Sequence, residues 1–439
     1  MKDEIIKKII ELVSEYYKAY LAESKFIAGE SRIDPSGKMF DEEELKNGVM
    51  AVLDGWWTEG RFSAEFQAEF SKYLGVKHTI LTNSGSSANL LAFHALTSKQ
   101  LGERRIVPGD EVIAVASCFP TTVNPIVQYG CMPVFLDIMD INSGQYNIDC
   151  TLLENAITKK TKAIFLAHTL GNPFDIGKIT EICRKNKLWL IEDCCDSLGS
   201  TYNGKKVGTF GDLATFSFYP AHHITMGEGG AIVTNSHLLK KLVTSFRNWG
   251  RDCWCDPGKD NTCGMRFGWE LGKLPKGYDH KNIYSHMGFN LKPTDMQAAI
   301  GIAQLKKIDY FISKRKENFD FLSMHLKKYE DKIIMPKSLD ESDPSWFGFI
   351  ISVKEDAGFT REQLISHLTK HKVMTRSLFA GNITKQPSFS DVKYKTVGSL
   401  ENTDKTMFST FWIGVQPNIT EEKRKYVADV FDSFFKELI

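Results

Sequence analysis

A chain of 439 residues has room for one large domain and a smaller one. Hydrophobic residues make up 42% of it and aromatic residues 12%, which is enough apolar surface for a sizeable core and argues against intrinsic disorder. The formal net charge of +1 gives no general attraction to nucleic acid or to an anionic membrane. Neither is therefore an expected partner, and any anionic ligand must be bound by local groups.

The N-terminal residues predict an amphipathic helix. Apolar residues between Ile5 and Val13 recur at helical spacing, with charged residues between them. No stretch of the sequence reaches the roughly 20 apolar residues of a membrane span, and the start lacks the uninterrupted apolar core of a signal peptide. We therefore expect a cytoplasmic protein, and we assign residues 1–55 to an N-terminal helical segment that packs on the small domain.

The next part of the chain predicts an α/β domain. From about residue 60 to residue 235, short apolar runs alternate with longer segments of helical spacing, as in a mostly parallel sheet covered by helices. The predicted strands are 78–82, 111–116, 133–137, 163–167, 188–192, 214–218 and 231–234. The predicted helices include 86–98, 151–159 and 176–186. Because such sheets bind ligands beyond the carboxyl ends of their strands, we expect the functional site there, in a large domain of residues 56–310.

The remaining residues predict a long loop and a second domain. Residues 250–285 are rich in Gly, Lys, Asp, Trp and Cys and show little periodicity, and a loop of this length inside a domain is usually functional or disordered. A helix is predicted from Thr294 past Tyr310. A small α+β domain of residues 311–439 follows. Its predicted elements are a strand at 347–353 and helices at 361–370 and 421–438.

Two turns offer groups for a phosphate. Gly85, Ser86 and Ser87 follow a predicted strand and open a helix, where backbone N–H groups and the helix dipole suit an anion. Ser217 ends a later strand and can add a hydroxyl to the same anion. A serine-capped turn of small residues is also common without a ligand, so this motif by itself leaves the function open.

A carboxylate and an aromatic residue extend the candidate site. Asp193 ends an apolar strand, and there it can keep a pyridinium nitrogen protonated, which makes the ring an electron acceptor. Phe119 ends another strand and can stack on such a ring. Each residue also has an ordinary interpretation, as a solvated charge at a strand end or as a core aromatic.

The order of these motifs resembles that of a known family. The chain carries, in order, Gly85-Ser86-Ser87, Phe119, Asp193, the segment 216–230 and Gly288-Phe289-Asn290. This order is similar to that of the sugar aminotransferases of aspartate aminotransferase fold, the fold type I of enzymes that use pyridoxal phosphate, over roughly residues 55–439. The fold class that it implies is α/β, with a smaller α+β C-terminal domain.

The resemblance implies a role for each residue. Ser86 and Ser87, in the turn that begins at Gly85, contact the phosphate of the cofactor, and Ser217 adds a further contact. Phe119 stacks on the cofactor ring, and Asp193 pairs with its nitrogen. Asn290 reaches the phosphate bound by the neighbouring subunit, which implies a homodimer.

His222 departs from the pattern of that family. The residue two after the proline of this segment, Pro220, is in the family the lysine that holds the cofactor. His222 can move a proton but has no amine for the covalent link. The implied cofactor is pyridoxamine phosphate, bound noncovalently, whose amine reacts with a sugar ketone so that a hydroxyl group is lost. His222 is the predicted base, with Tyr219 and His223 as secondary candidates.

Four of the nine cysteines are spaced as a possible metal site. Fifty-seven residues separate Cys195 from Cys253, one separates Cys253 from Cys255, and seven separate Cys255 from Cys263. Four thiolates can hold zinc or an iron–sulfur cluster. The single residue between Cys253 and Cys255 favours the cluster, and Cys195 lies roughly 7 Å from Asp193 if the chain is extended.

Together with His222, this spacing resembles the iron–sulfur 3-dehydrases of 3,6-dideoxyhexose biosynthesis, which supply O-antigen sugars for lipopolysaccharide. The resemblance implies a [2Fe-2S] cluster and a nucleotide-linked 4-keto-6-deoxy sugar as substrate, CDP-4-keto-6-deoxy-D-glucose. It also implies that an NAD(P)H-dependent flavin iron–sulfur reductase delivers the electrons. The residues leave CDP, dTDP and GDP open as the nucleotide.

Other interpretations remain open. Trp57 and Thr58 can line a sugar pocket or simply pack, and Arg376 is a further candidate for a substrate contact. The chain could be a sugar aminotransferase that tolerates His222, or a 3-dehydratase without electron transfer. A metal-bearing scaffold with an inactive cofactor site is disfavoured, because Asp193, Ser217 and the glycine turns are all present.

Overall fold

The computed structural model describes residues 1–22, 25–253, 255 and 258–438. Its strands are β1 (His78–Thr82), β2 (Glu111–Val115), β3 (Met132–Leu136), β4 (Thr161–Ala167), β5 (Trp189–Asp193), β6 (Thr201–Tyr202), β7 (Lys205–Lys206), β8 (Leu213–Ser217), β9 (Gly230–Thr234), β10 (Ile333–Ile334), β11 (Ser342–Asp343), β12 (Gly348–Val353), β13 (Lys395–Val397) and β14 (Thr410–Gly414). Its helices are α1 (Lys2–Tyr20), α2 (Glu42–Leu53), α3 (Arg61–Leu74), α4 (Gly85–Ala95), α5 (Pro120–Gln128), α6 (Leu153–Ala156), α7 (Ile176–Asn186), α8 (His237–Arg247), α9 (Asp295–Leu305), α10 (Ile308–Leu326), α11 (Arg361–Lys370), α12 (Glu401–Ser409) and α13 (Glu421–Glu437).

The central sheet confirms the predicted α/β class. Its eight strands lie in the order β1-β9-β8-β5-β4-β2-β3-β13, and within it β9 is antiparallel to β1 and β8 while the other neighbours are parallel. The seven predicted strands correspond to β1, β2, β3, β4, β5, β8 and β9. Strands such as β2 and β5 are buried along their whole length, because helices cover both faces of a parallel sheet.

Two helix predictions are corrected by the structure. The helix expected from Thr294 past Tyr310 is divided into α9 and α10, since Lys307 leaves the helical conformation with φ −104° and ψ 2°. The helix predicted at 151–159 is reduced to a 3-10 turn and the short α6. It ends at Ala156, because Ile157 takes an extended conformation with φ −85° and ψ 122°. The hydroxyl oxygen of Thr158 then accepts a hydrogen bond from the N–H of Lys160 in the turn that leads into β4.

The small domain and the N-terminal segment share contacts with the large domain. β10, β12 and β14 form an antiparallel sheet, whereas β13 crosses back to pair with β3 at the edge of the central sheet. In the N-terminal segment, Ile33 bridges to Val373 and Phe26 packs on Tyr426 of the small domain. Helix α2 instead packs on α9. The chain before residue 56 therefore contacts both parts of the molecule.

The long segment at 250–285 carries one short 3-10 turn, His280–Asn282, in its described residues. In the part of the chain that the structure describes, none of the helices combines the length and the apolar character that crossing a membrane requires.

A buried ion pair joins the segment before α3 to the end of α8. The guanidinium of Arg247 donates two hydrogen bonds to the carboxylate of Glu59, at 2.9 and 2.7 Å, and both side chains are nearly buried. Removing one partner leaves an uncompensated buried charge. We expect Glu59→Ala to lower the free energy of unfolding by about 3–5 kcal/mol, measured by denaturant titration.

The control for this prediction is Asp54→Ala, which breaks the pair between Asp54 and the exposed Arg61. An exposed pair contributes less than about 1 kcal/mol. Equal losses of stability in the two variants would contradict the assignment of Glu59 as a buried anchor.

Candidate active site

A cavity of about 890 Å³ opens between the two domains, at the carboxyl ends of the parallel strands. The start of α4, the start of α5, the end of β5, the segment after β8 and small-domain segments line it. It brings together most of the predicted site residues, namely Gly85, Ser86, Phe119, Asp193, Cys195, Ser217, Tyr219, His222 and Arg376.

One wall of the cavity is shaped to bind a small anion. A Cβ atom at Gly85 would lie 2.4 Å from the Cβ of Ser217, and one at Gly230 would lie 2.3 Å from the carbonyl oxygen of Ser84. Only glycine allows these three segments to approach so closely. Ser84 caps α4 by accepting a hydrogen bond from the N–H of Ser87. The positive end of α4 and the Ser86 hydroxyl thus face the cavity.

Asp193 lies at the floor of the cavity and is held on both oxygens. Its Oδ2 accepts hydrogen bonds from the side chains of Asn89 at 2.8 Å and Thr122 at 2.7 Å, and its Oδ1 accepts one from the N–H of Cys195 at 3.1 Å. The side chain is 4% exposed. A carboxylate fixed in this way is preorganised for a cationic ring nitrogen.

His222 lines the same cavity from the turn after β8. Its side chain is 16% exposed, and its Nδ1 lies 3.3 Å from the Oδ1 of Asp196. The ring centroid is 5.3 Å from that of Phe347. Among the described residues that line the cavity there is no lysine, and His222 is the one histidine.

The four spaced cysteines occupy two places. Cys195 lines the cavity, and burial together with the charge of Asp193 raises the pKa of its thiol. Cys253, Cys255 and Cys263 are half-buried in the long segment. Burial opposes ionisation of Cys255, but hydrogen bonds, chiefly with the side chain of Thr262, outweigh it and lower the pKa of that thiol.

A different group of possible metal ligands is fully buried beneath the cavity. Among the described residues, His168, Glu192 and Cys194 are the one set of three whose ligand atoms lie within 4.8 Å of one another. Glu192 already accepts hydrogen bonds from the N–H groups of Gly208, Phe210 and Gly211, besides its contact with His168. These bonds occupy the carboxylate, so the group braces the loop at 208–211.

Eight predicted residues do not line the cavity in the described part of the chain: the three cysteines of the long segment, Cys253, Cys255 and Cys263, and also Ser87, Asn290, Trp57, Thr58 and His223. Trp57 and Thr58 are exposed, and the Trp57 indole donates to the carbonyl of Val52. His223 is 3% exposed and its Nε2 contacts Ser345, so its ring braces the small domain. Burial lowers the pKa of His223 well below its usual range.

Other residues of the site carry little signal in the sequence. Asn89, Thr121 and Thr122 are ordinary polar residues of α4 and α5 that face the cavity or Asp193. Asp196 follows Asp193 by three residues, and that spacing is the one clue to a second carboxylate beside the cavity. Phe347 enters from the small domain.

Comparison with known proteins gives a consistent result. Residues 39–432 match the model of the DegT/DnrJ/EryC1/StrS aminotransferase family. The chain is 54% identical to the lipopolysaccharide biosynthesis protein RfbH of Salmonella typhimurium, over 98% of each chain. It is 48% identical to the dTDP-4-dehydro-2,6-dideoxy-D-glucose 3-dehydratase of Saccharopolyspora spinosa, over 97% of this chain and 91% of that enzyme.

Solved structures are similar over nearly the same length. The GDP-4-keto-6-deoxy-D-mannose-3-dehydratase of Escherichia coli, with bound hydrated PLP, matches with a TM-score of 0.80 at 30% identity. The match covers 91% of this chain and 98% of that one.

Proposed function

Because the chain belongs to the DegT/DnrJ/EryC1/StrS aminotransferase family, we propose that it is a pyridoxamine phosphate-dependent 3-dehydrase of a nucleotide-linked 4-keto-6-deoxyhexose. Its fold is that of the PLP-dependent aminotransferases of fold type I. The observation that carries the proposal is His222, a base without a primary amine, on a cavity wall whose described residues include no lysine. The names of two similar enzymes as 3-dehydratases support it.

The residues of the cavity fit pyridoxamine phosphate. The N-terminus of α4, with Ser86 and Ser217, would hold its phosphate, and Asp193 would pair with its ring nitrogen. Phe119, which is half-exposed in the cavity, would stack on the ring. When bound, this cofactor supplies a primary amine that reacts with a ketone and a ring that withdraws electrons. Asn290 would reach the phosphate site of the second subunit in a homodimer.

His222 would act as the base. Its ring nitrogen would take a proton at C4′ of the bound cofactor and would return that proton to the C3 hydroxyl of the sugar, which would leave as water. Phe347 and Trp412 line the same cavity, and their apolar rings exclude water from the reacting atoms. Tyr219, half-exposed at the rim, is a candidate sugar contact.

Electron transfer completes the proposed function. Cys195, Cys253, Cys255 and Cys263 would hold a [2Fe-2S] cluster, and an NAD(P)H-dependent flavin iron–sulfur reductase would reduce it. Two features support the donor set: Cys195 borders the cavity beside Asp193, and Cys253 and Cys255 interact directly through their thiols. We further propose CDP-4-keto-6-deoxy-D-glucose as the substrate, on the pathway to O-antigen deoxysugars.

The test uses full-length protein prepared without air. We expect iron and acid-labile sulfide in equal amounts, two of each per chain, with the visible absorption of an iron–sulfur protein. With pyridoxamine phosphate, CDP-4-keto-6-deoxy-D-glucose and a reductase, the product should lack the C3 hydroxyl. Zinc in place of iron would refute the cluster, and a glutamate-dependent amino sugar would indicate an aminotransferase. A product that lacks the C3 hydroxyl and forms without the reductase would indicate a 3-dehydratase that needs no electrons.

Arg376 is the proposed contact for the diphosphate of the substrate. Among the described residues that line the cavity it is the only arginine or lysine. We expect Arg376→Gln to raise the KM for the nucleotide sugar by about 10- to 100-fold, since a hydrogen bond to a charged group contributes about 1.5–3 kcal/mol, with kcat little changed. Steady-state kinetics checks this, and Lys370→Gln, an exposed change outside the cavity, is the control. An unchanged KM for Arg376→Gln would contradict the assignment.

A further inference from the structure

Asp196 is a cavity residue that the proposed reaction leaves without a role. It follows β5 in the tight turn that also carries Cys195, and both residues line the cavity. Its side chain is 14% exposed, and its Oδ1 lies 3.3 Å from the Nδ1 of His222. A carboxylate so nearly buried requires a partner.

The Nδ1 atom of His222 lacks a hydrogen-bond partner in the described part of the chain. It is buried, and within the described residues no hydrogen bond of good geometry reaches it. Asp196 is the carboxylate in contact with it. A small rotation of the ring converts this contact into a hydrogen bond, as is common in catalytic sites before substrate binds. Because the Nδ1 atom is buried, the solvent-exposed surface of the His222 ring belongs to the other ring atoms.

A buried arginine contacts the turn that carries His222. Arg315 is fully buried, and its guanidinium donates to the carbonyl oxygens of His222 at 3.4 Å and Phe347 at 3.1 Å. Burial lowers the pKa of Arg315 to about 10, and the negative charge of Asp196 opposes that shift. Arg315 therefore holds the main chain of His222 by a hydrogen bond, and its positive charge is attracted to the negative charge of Asp196.

We propose that Asp196 is a positioning residue for His222, an inference that rests on the proposed function. In this arrangement, Nδ1–H of His222 donates to the Asp196 carboxylate, which fixes the tautomer and the orientation of the ring. Nε2 then presents its lone pair to the cavity as the base. A base held by a carboxylate through its second nitrogen is a recurrent arrangement in enzymes, and it explains why the nearly buried Asp196 carboxylate lies beside a histidine.

The test is Asp196→Asn in the full-length protein loaded with pyridoxamine phosphate. Asparagine has the same shape, but its amide group can donate to Nδ1 and so favour the opposite tautomer of His222. We expect kcat for dehydration to fall by at least about 10²-fold, with the KM for the nucleotide sugar changed less than about twofold. The matched control is Asp343→Asn, an exposed aspartate paired with Lys316.

A second readout does not depend on activity. In protein with ¹⁵N-labelled histidine, the His222 signals are identified by their loss in a His222→Asn variant. Wild type should carry the proton on Nδ1, and Asp196→Asn should shift it to Nε2. A tautomer change without any dehydrase activity in wild type would refute the proposed function and keep the positioning role.

Two outcomes would overturn the positioning role itself. If Asp196→Asn kept the kcat and the tautomer of wild type, the carboxylate would only pack. If Asp196→Asn instead raised the Kd of pyridoxamine phosphate by tenfold or more, measured by fluorescence titration, Asp196 would contact the cofactor directly.

Discussion

His222→Asn is expected to bind pyridoxamine phosphate with nearly wild-type affinity and to lose sugar dehydration by about 10²–10⁴-fold, the usual contribution of general acid–base catalysis. The proposed phosphate site at Gly85 and Ser217 and the carboxylate of Asp193 lie outside the turn that carries His222. The substitution should therefore impair proton transfer without impairing cofactor binding. Equilibrium binding and single-turnover dehydration measure the two quantities in the same preparation.

The second substitution at this position is His222→Lys. It restores an amine to the cavity wall, so added pyridoxal phosphate should become covalently attached and be fixed by borohydride. Some transamination from an amino-acid donor should then accompany it, because lysine can both hold the cofactor and move the proton. Wild type should show neither property. A borohydride-reducible lysine linkage in wild type would contradict the role of His222 and favour the aminotransferase.

Cys253→Ser is expected to abolish reductase-dependent turnover and to remove the iron. Serine offers a hard, weakly acidic hydroxyl in place of a thiolate, and iron–sulfur clusters are held by thiolates. Binding of pyridoxamine phosphate should be largely retained, since Cys253 does not line the cavity. Iron and sulfide assays, together with turnover in the presence of the reductase, test the three expectations on one sample.

Cys150→Ser is the matched control for that variant. Cys150 is buried among apolar residues, and burial raises the pKa of its thiol to about 12, so it has no tendency to bind metal as a thiolate. This variant should keep its iron. Stoichiometric zinc without acid-labile sulfide in wild type prepared without air would remove the basis of the prediction for Cys253.

The sequence by itself determined the central sheet and the order of the site motifs. The predicted strands are apolar runs of about five residues bounded by turn residues. A strand of a parallel sheet shows this pattern because both of its faces are buried and its side chains are therefore nearly all apolar. Helices with caps at both ends were also predictable: α7 and α11 lie at the predicted residues. The turn at Gly85, the carboxylate of Asp193 and the histidine at 222 were located by motif, because each follows a strand and must lie at its carboxyl end.

Only the tertiary structure decided which side chains meet. Asp196 and His222 lie in different loops, and their contact depends on the parallel pairing of β5 with β8. The periodicity of apolar residues along the chain does not predict which strands pair, because it indicates only which side chains are buried and not which segments they contact. The two adjacent histidines show the same limit: His222 lines the cavity, whereas His223 turns away to Ser345. In this turn the side chains of His222 and His223 point in different directions. The small domain packs against the turn and determines which residues each of the two histidines contacts.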